Sequence, residues 1–166
     1  RPGRPVPSVR ARSACLCPVA SPAAPGHRQP LGEALGPASG AAPAESLAAR
    51  DTMCVFETAA QVLALRPNME ALKALEPFAF IATAPGEDCD FVSRFFAPKA
   101  GIDEDPVTGS AHCTLTPYWA ARLGKGSLFA RQISPRGGEL WCEDRGDRVR
   151  ISGHGALYLT GFIEVD

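Results

Sequence analysis

From Thr52 onward, short apolar runs alternate with turn signals, and the period of each run predicts its element. Thr52 to Thr58 (TMCVFET) is rich in β-branched and aromatic residues and predicts a strand. Thr58 and Gln61 have the spacing of a capping box, which opens a short helix through Leu65 before Pro67 ends it. Asn68 caps a second helix, MEALKAL, with Leu72 and Leu75 on one face. Residues 78–84 predict a strand, Pro85 to Asp88 a turn, and Asp90 to Phe96 another strand. A loop from Ala97 to Thr108 leads into a helix from Ser110 to Leu123, closed by Gly124. Pro117 falls inside that helix and predicts a kink or tightening near Cys113.

The remaining chain alternates at period two and predicts strands over 128–134, 138–143, 147–152 and 155–164. Turns are marked by Pro135 to Gly138, Arg145-Gly146 and Gly153-His154-Gly155. Val149 and Ile151 point one way and Arg148 and Arg150 the other, as in a sheet with one wet face. The pattern predicts an α+β fold, mostly antiparallel, wrapped on one central helix.

Composition divides the chain. Of its 166 residues, the first 50 hold 9 of the 16 prolines, 6 arginines, 2 acids and no aromatic residue. Such a segment buries too little apolar surface to offset its ordering entropy. Residues 1–30 therefore predict a disordered or polyproline-like leader, 31–50 a loosely ordered connector with one helical turn at Leu31 to Leu35, and 51–166 the folded domain. The chain begins with Arg, which predicts a fragment or a processed form, and no secretory signal is visible.

Charge narrows the function classes. A net charge of −1 argues against a general nucleic-acid binder, and no apolar run reaches the roughly 18 residues of a membrane span. Six cysteines make no CxxC pair and histidines are sparse, which argues against a zinc site. Cys54, Cys113 and Cys142 lie in apolar segments and predict buried free thiols, as in a reducing, cytoplasmic setting.

The segment richest in chemistry is GIDEDPVTGSAHCTLTPYWAARLGK, from Gly101 to Lys125. It reads as an acidic cluster, a small-residue turn and a helix start. The first amides of a helix lack internal partners and sit at the positive end of its dipole. Gly109 lets a ligand approach them closely, which makes a cradle for a carboxylate or phosphate. Asp105, at its rim, is placed to accept a hydrogen bond from a ligand amine or hydroxyl. The bland alternative is that Asp105 caps the helix and Ser110 satisfies an amide. His112 is either a substrate contact or a packed histidine. Asp103 and Glu104 assist Asp105 or form a solvated pair, Arg136 reaches a carboxylate or decorates a hairpin, and Trp119 and Tyr118 belong to the core. His154 reads as a turn residue. A Ser110/His112/Asp105 triad is poor, because residues two apart on a helix do not face each other. LGKGS lacks the Ser or Thr of a phosphate-binding loop.

DEDPVTGSAHC followed by PYWAARLGK resembles the signature of the PhzF-like, phenazine biosynthesis-like family, and SPRGGELWCEDRGDRVRISGHGALYLTGFI is similar to its C-terminal sheet. LGEALG, ARDTMCVFET and ALRPNMEAL support the resemblance by order and spacing. It implies the C-terminal half of a two-domain, diaminopimelate-epimerase-like fold, each domain a β-barrel-like sheet around a central helix, with the site in the cleft between them. It also implies a cofactor-free isomerase in which a carboxylic acid shuttles a proton on a small cyclic amino or hydroxy acid. Asp105 and Ser110 fall on the family's site residues, and Gly109 would offer backbone donors to the substrate carboxylate; His112 is the further binding candidate. The family's acid/base Glu, in an S-E-T motif, and its C-G-H-A histidine have no counterpart here, and Glu45-Ser46 is not that motif.

Three functions follow: the substrate-binding half of such an isomerase; a non-catalytic protein that kept the fold, with a homodimer or protein partner on its exposed interdomain face; and an epimerase using Cys113 as one of two thiols. The expected partner is a small carboxylate-bearing substrate, with no nucleic acid, membrane or metal.

Overall fold

Three consecutive strands carry the most apolar sequence in the chain, and the reason is visible in what covers them. The computed structural model describes residues 10–18, 24–25, 34–35, 42–48 and 51–156, together with 159, 161, 162 and 164. Its strands are β1 (Arg10–Pro18), β2 (Ala24–Pro25), β3 (Glu45–Ala48), β4 (Thr52–Val55), β5 (Phe80–Pro85), β6 (Phe91–Phe96), β7 (Ser127–Gln132), β8 (Gly138–Asp144) and β9 (Arg148–Ala156). Its helices are α1 (Ala59–Ala64), α2 (Met69–Ala74) and α3 (Gly109–Leu123), with a 3-10 turn at Pro98–Ala100. Among the described residues the strands form one mixed sheet in the order β1-β9-β8-β7-β6-β5-β4-β3-β2. β4–β5 and β6–β7 are parallel, and every other neighbouring pair is antiparallel. Parallel neighbours need a crossover, and α1 with α2 supplies the first and α3 the second.

The two crossovers cover opposite faces. Met53, Val55, Ile81, Phe91 and Phe95 share a core with Leu115 and Trp119 of α3. Cys54, Phe56, Phe80, Val92 and Phe96 share the other with Val62, Leu65 and Leu72 from the α1–α2 side. Strands covered on both faces read as continuous apolar runs. In β9, by contrast, Val149 and Ile151 are buried while Arg148 and Arg150 are exposed, so the expected alternation holds where one face is wet.

Local signals place the helices. The Thr58–Gln61 capping box is formed, and the Asn68 side chain accepts from the Ala71 amide. Gly124 closes α3 in the left-handed conformation at φ 66°, and α3 continues through Pro117. Among the described residues no helix is long and apolar enough to cross a membrane.

Two expectations need correction. Arg10–Pro18, expected within an unstructured leader, forms β1 and pairs antiparallel with β9 along its whole length. The rest of the leader lies largely outside the described residues. Gly153-His154-Gly155, expected as a turn, runs inside β9, because β1 gives that stretch a partner whose pairing local composition does not reveal. Of the strand expected over 155–164, only Gly155 and Ala156 are strand, as the end of β9; the other described residues there, Leu159, Gly161, Phe162 and Glu164, belong to no strand. In the connector, Ala34 and Leu35 are buried, and Glu45–Ala48 already belongs to the sheet.

Candidate functional site

The loop before α3 is fastened to β6. The Asp105 amide donates to the Phe95 carbonyl at 3.0 Å. Arg94 grips Glu104 through two bonds of 2.8 Å, and the same guanidinium donates to the Val62 and Leu65 carbonyls at the end of α1. Glu104 is thus half of a largely buried ion pair, not one of a solvated pair as the bland alternative has it. Asp103 stays exposed.

A second clamp comes from β7. Gln132 is 1% exposed. Its Oε1 accepts from the Thr108 amide at 2.7 Å, and its Nε2 donates to the Asp105 carbonyl at 2.6 Å and to Thr108 Oγ1 at 3.2 Å. Thr108 Oγ1 in turn donates to Asp105 Oδ2 at 2.5 Å. Ser134 Oγ donates to the Pro106 carbonyl at 2.8 Å. Val107 packs so close to Gly138 that a Cβ there would lie 2.3 Å from its Cγ2, so the hairpin glycine is what lets the loop sit against β8.

The start of α3 is open. Thr108 is the N-cap residue, and among the described residues no side chain caps the helix. Asp105 therefore does not act as the helix cap; its Oδ2 takes the Thr108 hydroxyl. Gly109 and Ser110 are exposed, and nothing lies within 4 Å of where a Gly109 side chain would project. In front of Gly109 is a groove of about 640 Å³, lined by Cys15, Val107, Arg136, Ser152 and His154 among others. Arg136 is exposed there and makes no ion pair among the described residues. His154 lies edge-on to Trp141 at 4.9 Å. A positive helix end and a free guanidinium on one groove form a site suited to an anion.

Asp105 is half-buried beside this groove rather than on its wall. His112 lies beneath, fully buried, with its ring 5.8 Å from that of Phe91. Its Nδ1 is 2.8 Å from the Thr108 carbonyl, which can only accept, so Nδ1 carries the proton. Nε2 has no partner. Burial pushes the His112 pKa down to about 4, against the opposing pull of the Thr108 bond. The structure thus brings Asp105, Gly109 and Ser110 to one helix start and puts His112 in the core below it. Cys113 is also buried, its Sγ 3.8 Å from the Gly109 carbonyl. Cys54, Cys89 and Cys142 are free thiols, and burial pushes Cys54 and Cys142 up to about 12 and about 11. Trp119 is core, its indole donating to Thr83 Oγ1 at 3.0 Å. Among the described residues no group of three or more His, Cys, Asp or Glu could hold a metal ion.

Sequence reasoning missed Gln132 and Ser134. One signal was present for Gln132: it follows Leu128 and Ala130 on the inward phase of β7, where a polar residue needs a partner.

Residues 29–161 match the family model described as phenazine biosynthesis-like protein. The chain belongs to that family. Within it, the chain is 53% identical over 129 residues to an uncharacterized isomerase of Pseudomonas aeruginosa, covering 77% of this chain and 49% of that protein. A second uncharacterized isomerase of the same organism is 47% identical over 128 residues, again covering 77% of this chain and 49% of its relative. The chain therefore spans about half the length of these curated relatives. A crystal structure of a PhzF-family phenazine biosynthesis protein from Enterococcus faecalis superposes with a TM-score of 0.81 at 39% identity, covering 89% of this chain and 58% of that one. The Asp105 to Ser110 loop and the groove's lining apart from Cys15 lie within the matched residues, whereas Cys15 belongs to β1, which precedes them.

Proposed function

We propose that this chain is the substrate-binding half of a cofactor-free isomerase acting on a small cyclic amino or hydroxy acid. The observation that carries the reading is the uncapped start of α3, open above Gly109 and facing a groove with Arg136 on its rim. The substrate carboxylate would lie on the Gly109 and Ser110 amides, with the Ser110 hydroxyl and Arg136 beside it. Asp105 would accept a hydrogen bond from the amine or hydroxyl on the neighbouring ring carbon. The proton shift removes a proton from one ring carbon and returns it to another, so no oxidant or co-reactant is consumed. The acid that carries that proton would come from a second domain or chain facing the groove, and such a group typically contributes about 10² to 10⁴ in rate.

The reading includes a curled sheet around α3. β1 and β2 are the two ends of the strand order, eight spacings apart, or about 38 Å if the sheet were flat. Yet Pro18 of β1 and Ala24 of β2 are separated by only five residues, a reach of about 21 Å. Chain connectivity therefore supports curvature that brings the ends together. Free, buried thiols support residence in a reducing cytoplasm. For the thiol-based epimerase, Cys113 gives no support: it is buried and does not line the groove.

Asp105→Ala should abolish binding of a cyclic amino acid, read by calorimetry, while the far-UV circular dichroism is unchanged. Binding that survives unaltered would remove Asp105 from the site. The chain alone should put no solvent deuterium into that amino acid; incorporation seen by NMR would show that it already holds the proton-carrying group.

A further inference from the structure

β1 is held to the sheet by its backbone and by little else. It runs antiparallel to β9 for nine residues, from Arg10 opposite Ala156 to Pro18 opposite Arg148. Its described side chains, Cys15, Leu16 and Pro18, are all exposed, Leu16 at 55%. Among the described residues, neither core includes one from β1. Burial of one face is what pins a strand in its register, so a strand without it is among the first elements to open. β9 is built the opposite way. Val149 and Ile151 are buried, and residues 149–152 pair with β8 on their other side. Among the described residues, Gly153 to Ala156 pair with β1 alone, and a two-stranded ribbon is marginal by itself in water. β9 is therefore still anchored when β1 leaves, and it then presents an open edge of backbone donors and acceptors that an extended chain can join.

We infer that β1 is an exchangeable strand, and that the β9 edge is an interaction surface whose partner is the same segment, residues 10–18, of a second copy of this chain. The edge already accepts that segment along its whole length, so a second copy offers an identical match. Exchange of an identical element is a low-cost route to a dimer. The connector favours it too. Only five residues join the two ends of the strand order, Pro18 of β1 to Ala24 of β2, and short hinges of this kind invite exchange. The exchange reaches the groove, because Cys15 lines it together with Ile151, Ser152 and His154 of β9. Each copy would then supply one wall of the other's groove. The inference stands whether or not the groove takes a carboxylate.

The test is a cross-link between two versions of the full chain. Cys15 lies opposite Ile151, and such partners are about 4.5–5.5 Å apart at Cα, within reach of a disulfide. One version is the wild-type chain with an affinity tag. The other is untagged and carries Cys15→Ser, Cys17→Ser and Ile151→Cys, so its own leader has no thiol to offer position 151. The two are unfolded in urea, refolded together at high concentration, oxidised with oxidised glutathione and separated by mass without reductant. The expected result is a shift from the mass of one chain to that of a tagged–untagged pair, lost when the tagged chain carries Cys15→Ser and Cys17→Ser. Absence of the pair overturns the inference. So does a pair that survives the loss of both leader thiols, because the chains are then joined elsewhere. Ile151→Cys by itself, refolded dilute, should close the link within one chain; a chain that stays open has no β1 on β9, and the inference falls. Where Ile151→Cys does not fold, Leu16→Cys on the tagged chain and Arg150→Cys on the other take its place, since both side chains are exposed and the two residues are register partners.

Discussion

Gly109 stands at the first position of α3 with open space where a side chain would project, and its φ is not positive. Nothing in the fold requires glycine there, whereas a ligand on the helix amides does. Gly109→Ala should therefore raise stability by up to about 1 kcal/mol in urea unfolding, through lower entropy of the unfolded chain. The same change should weaken carboxylate binding, because the new methyl group projects into the groove. His112 makes a different residue-level prediction. Its folded pKa is about 4 against 6.5 for an ordinary histidine. Between those values the unfolded chain binds the extra proton and the folded chain does not, so stability rises with pH across this window and is lost as pH falls from 6.5 toward 4. The loss attributable to this group is about 3 kcal/mol at most. Urea unfolding from pH 7 to 4 should show a slope that His112→Gln removes; an unchanged slope would assign it to other groups. Asp105, Gly109 and Ser110 were legible as one helix start because they lie within six residues of sequence. Gln132 was not, and Arg136 was legible only as one of two readings, because both reach that start through the parallel pairing of β6 with β7 and the hairpin beyond it.

Elements whose ends are written in neighbouring residues were read correctly. The capping box at Thr58, the Asn68 cap and the left-handed Gly124 are contacts within a few residues. β9 shows the opposite case. A Gly-His-Gly stretch carries turn composition, yet it is strand because Arg10–Pro18 pairs with it from the far end of the sequence. Glutamate 104 is similar: its partner, Arg94, sits in a strand of otherwise apolar and small residues, and only the fold brings the two together. The β7–β8 hairpin holds the Asp105 loop by shape as well as by hydrogen bonds. Gly138→Ala should push Val107 away, destabilise the chain by about 1–3 kcal/mol as overpacking does, and weaken ligand binding with it. Adding Val107→Ala should recover part of the stability. A thermal unfolding cycle over the four chains measures this, and purely additive losses would contradict the close-packing account.

At the scale of the molecule, α1 with α2 on one face and α3 on the other make β4 to β6 the most buried part of the sheet. They leave the start of α3 at the groove bounded by β8, β9 and β1. This is about half of the length over which the curated relatives extend, and in the proposed reading its groove binds the substrate while the proton-carrying acid comes from elsewhere. The account depends on that surface being an anion site made of backbone amides. The most direct measurement is a titration of the ¹⁵N-labelled chain with cyclohexanecarboxylate and, separately, with its uncharged carboxamide. The account predicts that the carboxylate shifts the Gly109 and Ser110 amide signals progressively and more than those of any other helix start, while the carboxamide does not. Carboxylate-induced shifts confined to other parts of the chain, with Gly109 and Ser110 unmoved, would contradict it.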